Sequence, residues 1–352
     1  MNPLDLLRPE IRTLRPYSVV ETPSRVKMDA NESPFDPPFE ILQEISEELR
    51  RMHFNRYPDS GAVTLKKRIS EYLHTEPRNL MLGNGSDELI GYLITAFSGQ
   101  NSGILFPVPT FSMYGIIAKA QGQTAIPVPL DGHFQINPEL FLKTAQERSP
   151  RIIFLASPNN PTGNRFADET LLRILKETQA IVVVDEAYID FSDHPGFMKY
   201  LQTIPNLVIL RTLSKIGMAA LRVGILISSQ EVISELEKVR LPYNINTFSQ
   251  AAASALLSRP ETIKKQIRMI IEERERLFQS MCSIQEIKVY PSQANFILFR
   301  TQDAYELYRN LLKAGILVRN LDQSGPLQGC LRMTVGMPEE NTEFLEHLGR
   351  FF

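Results

Sequence analysis

Cysteine is scarce in these 352 residues: only Cys282 and Cys330 occur, far apart and outside any C-x-x-C spacing. That excludes a disulfide framework and a thiolate metal site, and it fits a reducing compartment. A surplus of one charge is missing too, since 38 basic residues face 40 acidic ones for a formal net charge of −2. Nucleic acid and anionic membrane, which need a clustered basic surplus, are therefore not expected as main partners, and small metabolites are. No apolar run reaches membrane-spanning length, and the opening stretch M-N-P-L-D-L-L-R-P-E carries charge where a signal peptide would be apolar. A cytoplasmic protein is the expectation. The five histidines, His53, His74, His133, His194 and His347, show no ligand spacing such as H-x-x-x-H, so no metal is expected.

The length suffices for one large α/β domain and a smaller one. Residues 1–38 are rich in proline (Pro3, Pro9, Pro16, Pro23, Pro34, Pro37, Pro38) and weakly periodic, and read as an extended arm rather than a packed element. Amphipathic spacing predicts helices over 39–52 and 61–73. Short continuous apolar runs at 103–106, 125–128, 151–156, 180–184, 206–210 and 223–228 then alternate with helical stretches such as 86–97 and 168–178. Such runs are what buried parallel strands look like, and the economical architecture is a mostly parallel sheet with helices on both faces, binding ligands at its carboxyl edge. After Pro242 come a helix at 247–257, a long charged helix at 261–281, strands near 287–290, 295–300 and 330–335, and helices at 304–314 and 338–351. The expected division is an arm (1–38), a large domain (39–258) and a small C-terminal α+β domain (259–352).

The polar residues that close or follow these runs carry the chemistry. R-T-L-S-K (211–215) ends in Lys215; V-V-D-E-A-Y (183–188) supplies Asp185 and Tyr188; S-P-N-N-P-T-G (157–163) supplies Asn160; G-N-G-S-D-E (83–88) opens a helix. An amine, a buried carboxylate, a phenol, an amide and a small-residue helix start are together what pyridoxal phosphate requires. Its aldehyde needs an amine to condense with, and its pyridine nitrogen needs a carboxylate to keep it protonated. Its ring oxygen needs donors, and its phosphate needs backbone N–H groups and a cation, for which Arg222, Thr212 and Ser214 are placed. Singly, each motif is also a surface lysine, a strand-end cap or an ordinary turn.

In that order, the motifs resemble those of the pyridoxal-phosphate-dependent aminotransferases with the aspartate-aminotransferase-like fold (fold type I, class II), over nearly the whole chain. Within that superfamily the chain is similar to the histidinol-phosphate aminotransferases, on L-R-P-Y (14–17), D-A-N-E-S-P (29–34), R-Y-P-D (56–59), G-N-G-S-D-E, P-T-F-S-M-Y (109–114) and L-R-M-T-V-G (331–336). The resemblance implies an α/β fold whose large domain holds a mostly parallel seven-stranded sheet flanked by helices. It implies that Lys215 links to the cofactor, Asp185 holds the ring nitrogen, and Asn160 and Tyr188 bind the ring oxygen. Gly85, Ser86, Asp87, Thr212, Ser214 and Arg222 would surround the phosphate, with Tyr57 reaching it from the other subunit of a homodimer. Phe111 takes the ring-stacking place that is tyrosine in many relatives, the alternative being a core aromatic.

For the substrate, the resemblance implies Arg332, aided by Arg319, at the anionic end, Asn31 near the reacting centre and Tyr17 from the partner's arm. An arginine fork accepts carboxylate and phosphate alike, and a salt bridge is the alternative reading for both arginines. The segment I-G-M-A-A-L between Lys215 and Arg222 is one residue shorter than in many relatives, so the arginine's route back to the phosphate is expected to differ. The implied activity is ping-pong transamination between L-histidinol phosphate and 2-oxoglutarate, in histidine biosynthesis. Rivals on the same fold are an aromatic-amino-acid aminotransferase and a phosphothreonine decarboxylase. A cofactor-binding transcription regulator would need an added basic DNA-binding domain, and an inactive scaffold would not need the lysine and the aspartate.

Overall fold

The computed structural model describes residues 1–14, 16, 22–100, 102–322 and 324–352. Among them, twelve strands follow in chain order: β1 (Val26–Met28), β2 (Leu80–Asn84), β3 (Gly103–Val108), β4 (Thr124–Pro129), β5 (Ile152–Ala156), β6 (Ile181–Asp185), β7 (Leu207–Thr212), β8 (Val223–Ile227), β9 (Ile287–Val289), β10 (Phe296–Thr301), β11 (Ile316–Asn320) and β12 (Cys330–Thr334). Seven of them form one sheet in the order β2-β8-β7-β6-β5-β3-β4. Pairing is parallel from β7 through β6, β5 and β3 to β4, while β8 runs against both of its neighbours. The expected mostly parallel seven-stranded sheet is therefore present.

Both faces of this sheet are covered, which is why its strands are apolar throughout rather than alternating. Every residue of β5 and β8 is buried, and Val183, Val208 and Leu210 have no exposed surface. Each such side chain contributes about 1.5–3 kcal/mol by leaving water. The six strands expected from apolar runs all form, with ends shifted by at most two residues. The seventh, β2, hides from that reading because it ends in Gly83 and Asn84, residues with weak strand preference.

The remaining strands form a second sheet, β1-β11-β12-β10-β9, antiparallel except for β1 against β11. Here the sequence reading needs correction: residues 26–28, placed in an unpacked arm, are a strand, with Val26 and Met28 buried and in register with Ile316 and Val318. Three residues between prolines give no local signal, and pairing with β11 decides their conformation. Upstream, the short helix Pro9–Arg12 lies within the same arm, and Arg8 donates to the carbonyl of Ala120.

The helix Pro260–Cys282 serves both sheets. Proline at its first turn costs no hydrogen bond, and Ile263, Ile267, Ile270, Arg274, Leu277 and Met281 form one buried stripe at helical spacing. Arg274 Nη1 donates to the carbonyls of Phe191 (2.8 Å) and Ala294 (3.1 Å), tying the segment after β6 to the start of β10. No helix among the described residues is long and apolar enough to cross a membrane. Strand order reverses between β3 and β5, so a crevice opens beyond their carboxyl ends, where open α/β sheets bind ligands.

Candidate active site

Asp185 is the last residue of β6 and only 4% exposed. Its Oδ2 accepts a hydrogen bond from the Tyr114 hydroxyl at 2.6 Å and its Oδ1 one from the Ala187 N–H at 3.1 Å. Burial pushes this carboxyl up to about 6, opposed by the hydrogen bonds from Tyr114 and Ala187; Asp87 adds to the rise and Lys215 counters it. The folded chain thus binds this proton more tightly than an unfolded aspartate, whose ordinary value is about 3.9. The resulting stability is fully present below that value and is lost as pH rises through about 6. A cation laid against the carboxylate removes the loss.

Lys215 follows β7 in the 3-10 turn Leu213–Ile216, and its Nζ stands 5.7 Å from the centre of the Tyr188 ring. Tyr188 is buried, edge-on to Phe296, and its hydroxyl oxygen accepts from Asn31 Nδ2 at 2.9 Å. That leaves the phenolic proton free to point elsewhere. Asn31 is itself buried with φ at 55°, a region asparagine tolerates, and Thr334 fixes it: Thr334 Oγ1 accepts from the Asn31 N–H (2.9 Å) and donates to Asn31 Oδ1 (3.3 Å).

Arg332 lies on β12, 8% exposed, over the face of Phe296. Its Nη1 donates to Asn160 Oδ1 at 2.5 Å and its Nη2 to the Asp29 carbonyl at 2.7 Å. With its carbonyl engaged by Arg332, Asn160 has its NH₂ left to act as a donor. Arg319 on β11 sits directly opposite Arg332 in the antiparallel register. Like charges so placed repel unless an anion lies between or beside them, and none of the ion pairs among the described residues involves Arg319.

The fourth component is a backbone cradle. Gly85, with φ of 80°, precedes the helix Ser86–Phe97, which has no side-chain cap on its first N–H groups. The φ of 80° and ψ of 166° at Gly85 belong to glycine alone, and a Cβ on Gly224 would run into the backbone of Gly85 and Ser86, so glycine is required at both positions for this approach. Thr212 and Ser214 are buried beside it, their hydroxyls 2.9 Å apart. The short span after Lys215 is accommodated by two 3-10 turns around Gly217 (φ 96°), which return Arg222, itself at φ 54°, to the cradle. There its carbonyl accepts from the Gly85 N–H at 2.7 Å and its guanidinium lies 3.4 Å from Asp87. Because β8 is antiparallel, its beginning rather than its end reaches this edge of the sheet.

Phe111 is half-buried and meets the Tyr114 ring edge-on at 5.6 Å, so it borders the same crevice. Tyr57 does not join the cluster in its own subunit: it is 81% exposed and stacks on Tyr243 at 4.6 Å. Tyr17 lies outside the described residues. Two residues of the cluster escape a reading from sequence. Tyr114, the partner of Asp185, falls within P-T-F-S-M-Y, three residues after Phe111, and that spacing on a helix start is the one signal for it. Thr334, within L-R-M-T-V-G, faces the same way as Arg332 along a strand, two residues on.

These groups suit pyridoxal phosphate on their own geometry. A buried carboxylate with no fixed cation would receive a protonated ring nitrogen, and an uncapped helix start facing an arginine would receive a phosphate. The comparisons point the same way. The model of the "Aminotransferase class I and II" family matches residues 23–348. A histidinol-phosphate aminotransferase of Aquifex aeolicus is 44% identical over 340 residues, covering 96% of each chain. The crystal structure of the enzyme so named from Clostridium acetobutylicum superposes with a TM-score of 0.84 at 28% identity, covering 93% of this chain and 98% of its own. That from Sinorhizobium meliloti, in complex with pyridoxal-5'-phosphate, reaches 0.87 at 22% identity and covers 98% of both, which speaks to the fold. With a match spanning nearly its whole length and a crevice built from the residues described above, the chain belongs to the class I and II aminotransferases.

Proposed function

We propose that this protein uses pyridoxal phosphate to transfer the amino group of L-histidinol phosphate to 2-oxoglutarate, giving imidazole-acetol phosphate and L-glutamate. The observation that carries the reading is the Arg332–Asn160 contact, which places a guanidinium fork, with Arg319 opposite it, beside the cluster of Lys215, Asp185 and Tyr188. One fork can seat the phosphate of the first substrate and the carboxylate of the second in turn. The many curated relatives that carry this enzyme's name support the choice of substrate.

Pyridoxal phosphate, when bound, supplies an aldehyde that links to amines and a cationic ring that accepts the electron pair released at the carbon next to the linked amine. Asp185 would hold the proton of the ring nitrogen. Tyr188 and the NH₂ of Asn160 would donate to the ring oxygen, and Phe111 would stack on the ring. Ser86 and Asp87 would offer backbone N–H groups to the phosphate, Gly85, whose own N–H is spent on the Arg222 carbonyl, would allow its close approach, and Thr212, Ser214 and Arg222 would surround it. Lys215 would be the amine that holds the cofactor aldehyde, and its Nζ, when free, would take the proton from the substrate α-carbon. Arg332 and Arg319 bind the anionic end, and Asn31 orders the reacting centre through Tyr188.

We read the active unit as a homodimer with shared sites, Tyr57 reaching the partner's phosphate and Tyr17 the partner's substrate. Phe54, Tyr57 and Leu241 are 87%, 81% and 64% exposed, an aromatic and apolar surface that suits a subunit interface better than water. Free Cys282 and Cys330 suit the reducing cytoplasm as the place of action. Steady-state rates test the substrate: kcat/KM for histidinol phosphate should exceed that for phenylalanine by about a hundredfold or more, because the phenylalanine carboxylate offers the arginines a smaller, singly charged anion and its phenyl ring lacks the hydrogen-bonding nitrogens of an imidazole. Phosphothreonine should yield no carbon dioxide. Preference for phenylalanine, or decarboxylation of phosphothreonine, would overturn the reading.

A further inference from the structure

Asp185 has one side-chain hydrogen-bond partner among the described residues, and it comes from a different element, 71 positions earlier in the chain. Tyr114 sits in the first turn of the helix Met113–Ala120 and has no exposed surface. Its ring is clamped on three sides: stacked on Phe154 at 4.6 Å, tilted to Phe106 at 6.2 Å, and edge-on to Phe111 at 5.6 Å. A hydroxyl held this rigidly can satisfy one acceptor only, and that acceptor is Asp185 Oδ2. Burial, then the adjoining Asp185 carboxylate, keeps the Tyr114 proton on its oxygen far above the ordinary tyrosine range, so Tyr114 is always the donor.

We propose that Tyr114 is a positioning residue which holds Asp185 ionised and aimed at the cofactor ring, while its ring edge braces Phe111 against the face of that ring. The inference rests on the proposed cofactor chemistry for its catalytic meaning, but the Tyr114–Asp185 contact does not. When a carboxyl and a ring nitrogen share one proton, a second donor on the carboxyl stabilises the carboxylate and so leaves the proton on nitrogen. Without it, the neutral acid facing a neutral ring gains ground, and the ring accepts electrons less well. The charged and titratable groups around the pair are Lys215, which favours the carboxylate, Asp87, which opposes it, and Tyr188. The backbone donor on Oδ1, from Ala187, remains in any Tyr114 variant. Phenylalanine at position 111 lacks a hydroxyl to take over this role.

Tyr114→Phe keeps the ring volume and removes the hydroxyl alone. In cofactor-free protein carrying a carbon-13 label in aspartate, the Asp185 titration should move upward by about one pH unit, the size expected for losing one strong hydrogen bond to a charge. Phe106→Leu loosens the same ring without removing the donor and should leave that titration in place. In cofactor-loaded Tyr114→Phe, kcat should fall about tenfold to a hundredfold with KM little changed, and the acid limb of its pH profile should move with the Asp185 titration. An unmoved Asp185 titration in Tyr114→Phe, or an equal shift in Phe106→Leu, would overturn the assignment. If the titration moves as expected while wild-type protein transfers no amino group, the proposed function fails and the role of Tyr114 toward Asp185 stands.

Discussion

Replacing Lys215 with alanine should lower single-turnover transamination by about four orders of magnitude, the upper range for loss of a positioned proton carrier. The size follows from position. Among the described residues Lys215 Nζ is the one ammonium group found against the Tyr188 ring, and it is also the cation that lowers the Asp185 proton affinity. Its side chain takes part in no ion pair or hydrogen bond among the described residues, so its removal should leave the denaturation midpoint nearly unchanged. A second effect runs in a fixed direction. With the lysine gone, the Asp185 carboxyl loses an opposing influence, and its titration in cofactor-free protein should rise further above about 6. Rapid-mixing kinetics and the Asp185 titration check both. Activity within tenfold of the parent would mean that another group moves the α-proton.

Arg332→Lys should lower kcat/KM about 10²–10³-fold for histidinol phosphate and for glutamate alike. The charge survives in this variant but the fork does not. In the native arrangement one nitrogen is spent on Asn160 and another on the Asp29 carbonyl. A lysine ammonium cannot reproduce that pair of contacts and also face a ligand in plane. The parallel loss for two chemically different substrates distinguishes a shared anion seat from a salt bridge that merely supports the fold. L-Histidinol, which lacks the phosphate, should lose much less than histidinol phosphate. Equal losses for histidinol and its phosphate would instead mean that Arg332 acts by turning Asn160 toward the cofactor.

Much of the fold and the site is legible in the sequence, for identifiable reasons. Strands buried on both faces need continuous apolar runs, so β3 to β8 announce themselves, and the polar residues that end them, Asp185 and Lys215, stand out against those runs. The helix Ser86–Phe97 begins and ends where its sequence pattern does, because Gly85 at positive φ marks its start. Strands whose conformation depends on distant pairing are not legible: β1 takes its shape from β11, nearly three hundred residues away. Tyr114 shows the same limit inside the site. One tyrosine among 11, it has only its place three residues after Phe111 to mark it, and the approach of the Met113–Ala120 helix to the end of β6 gives it a carboxylate. The resemblance implies that Tyr57 reaches a partner's phosphate, and a single subunit displays it on the surface against Tyr243.

The same physical logic explains why several site residues sit in costly backbone conformations. Asn31 and Arg222, both non-glycine at positive φ, occupy the two ends of the crevice, where direction of a side chain matters more than local stability. Each is held by contacts from other elements, Asn31 by Thr334 and Asn295, Arg222 by the Gly85 N–H.

The most direct test is a half-reaction. L-Histidinol phosphate is added alone to the cofactor-loaded protein while the absorbance of the cofactor's aldehyde form is followed, and 2-oxoglutarate is added afterwards. The expected result is conversion of that form to the cofactor's amine form in proportion to the histidinol phosphate supplied, full recovery on adding 2-oxoglutarate, and no conversion to the amine form in Lys215→Ala. Protein that holds the cofactor but keeps its aldehyde band through the first addition would contradict the assignment of both the substrate and the residues placed around it.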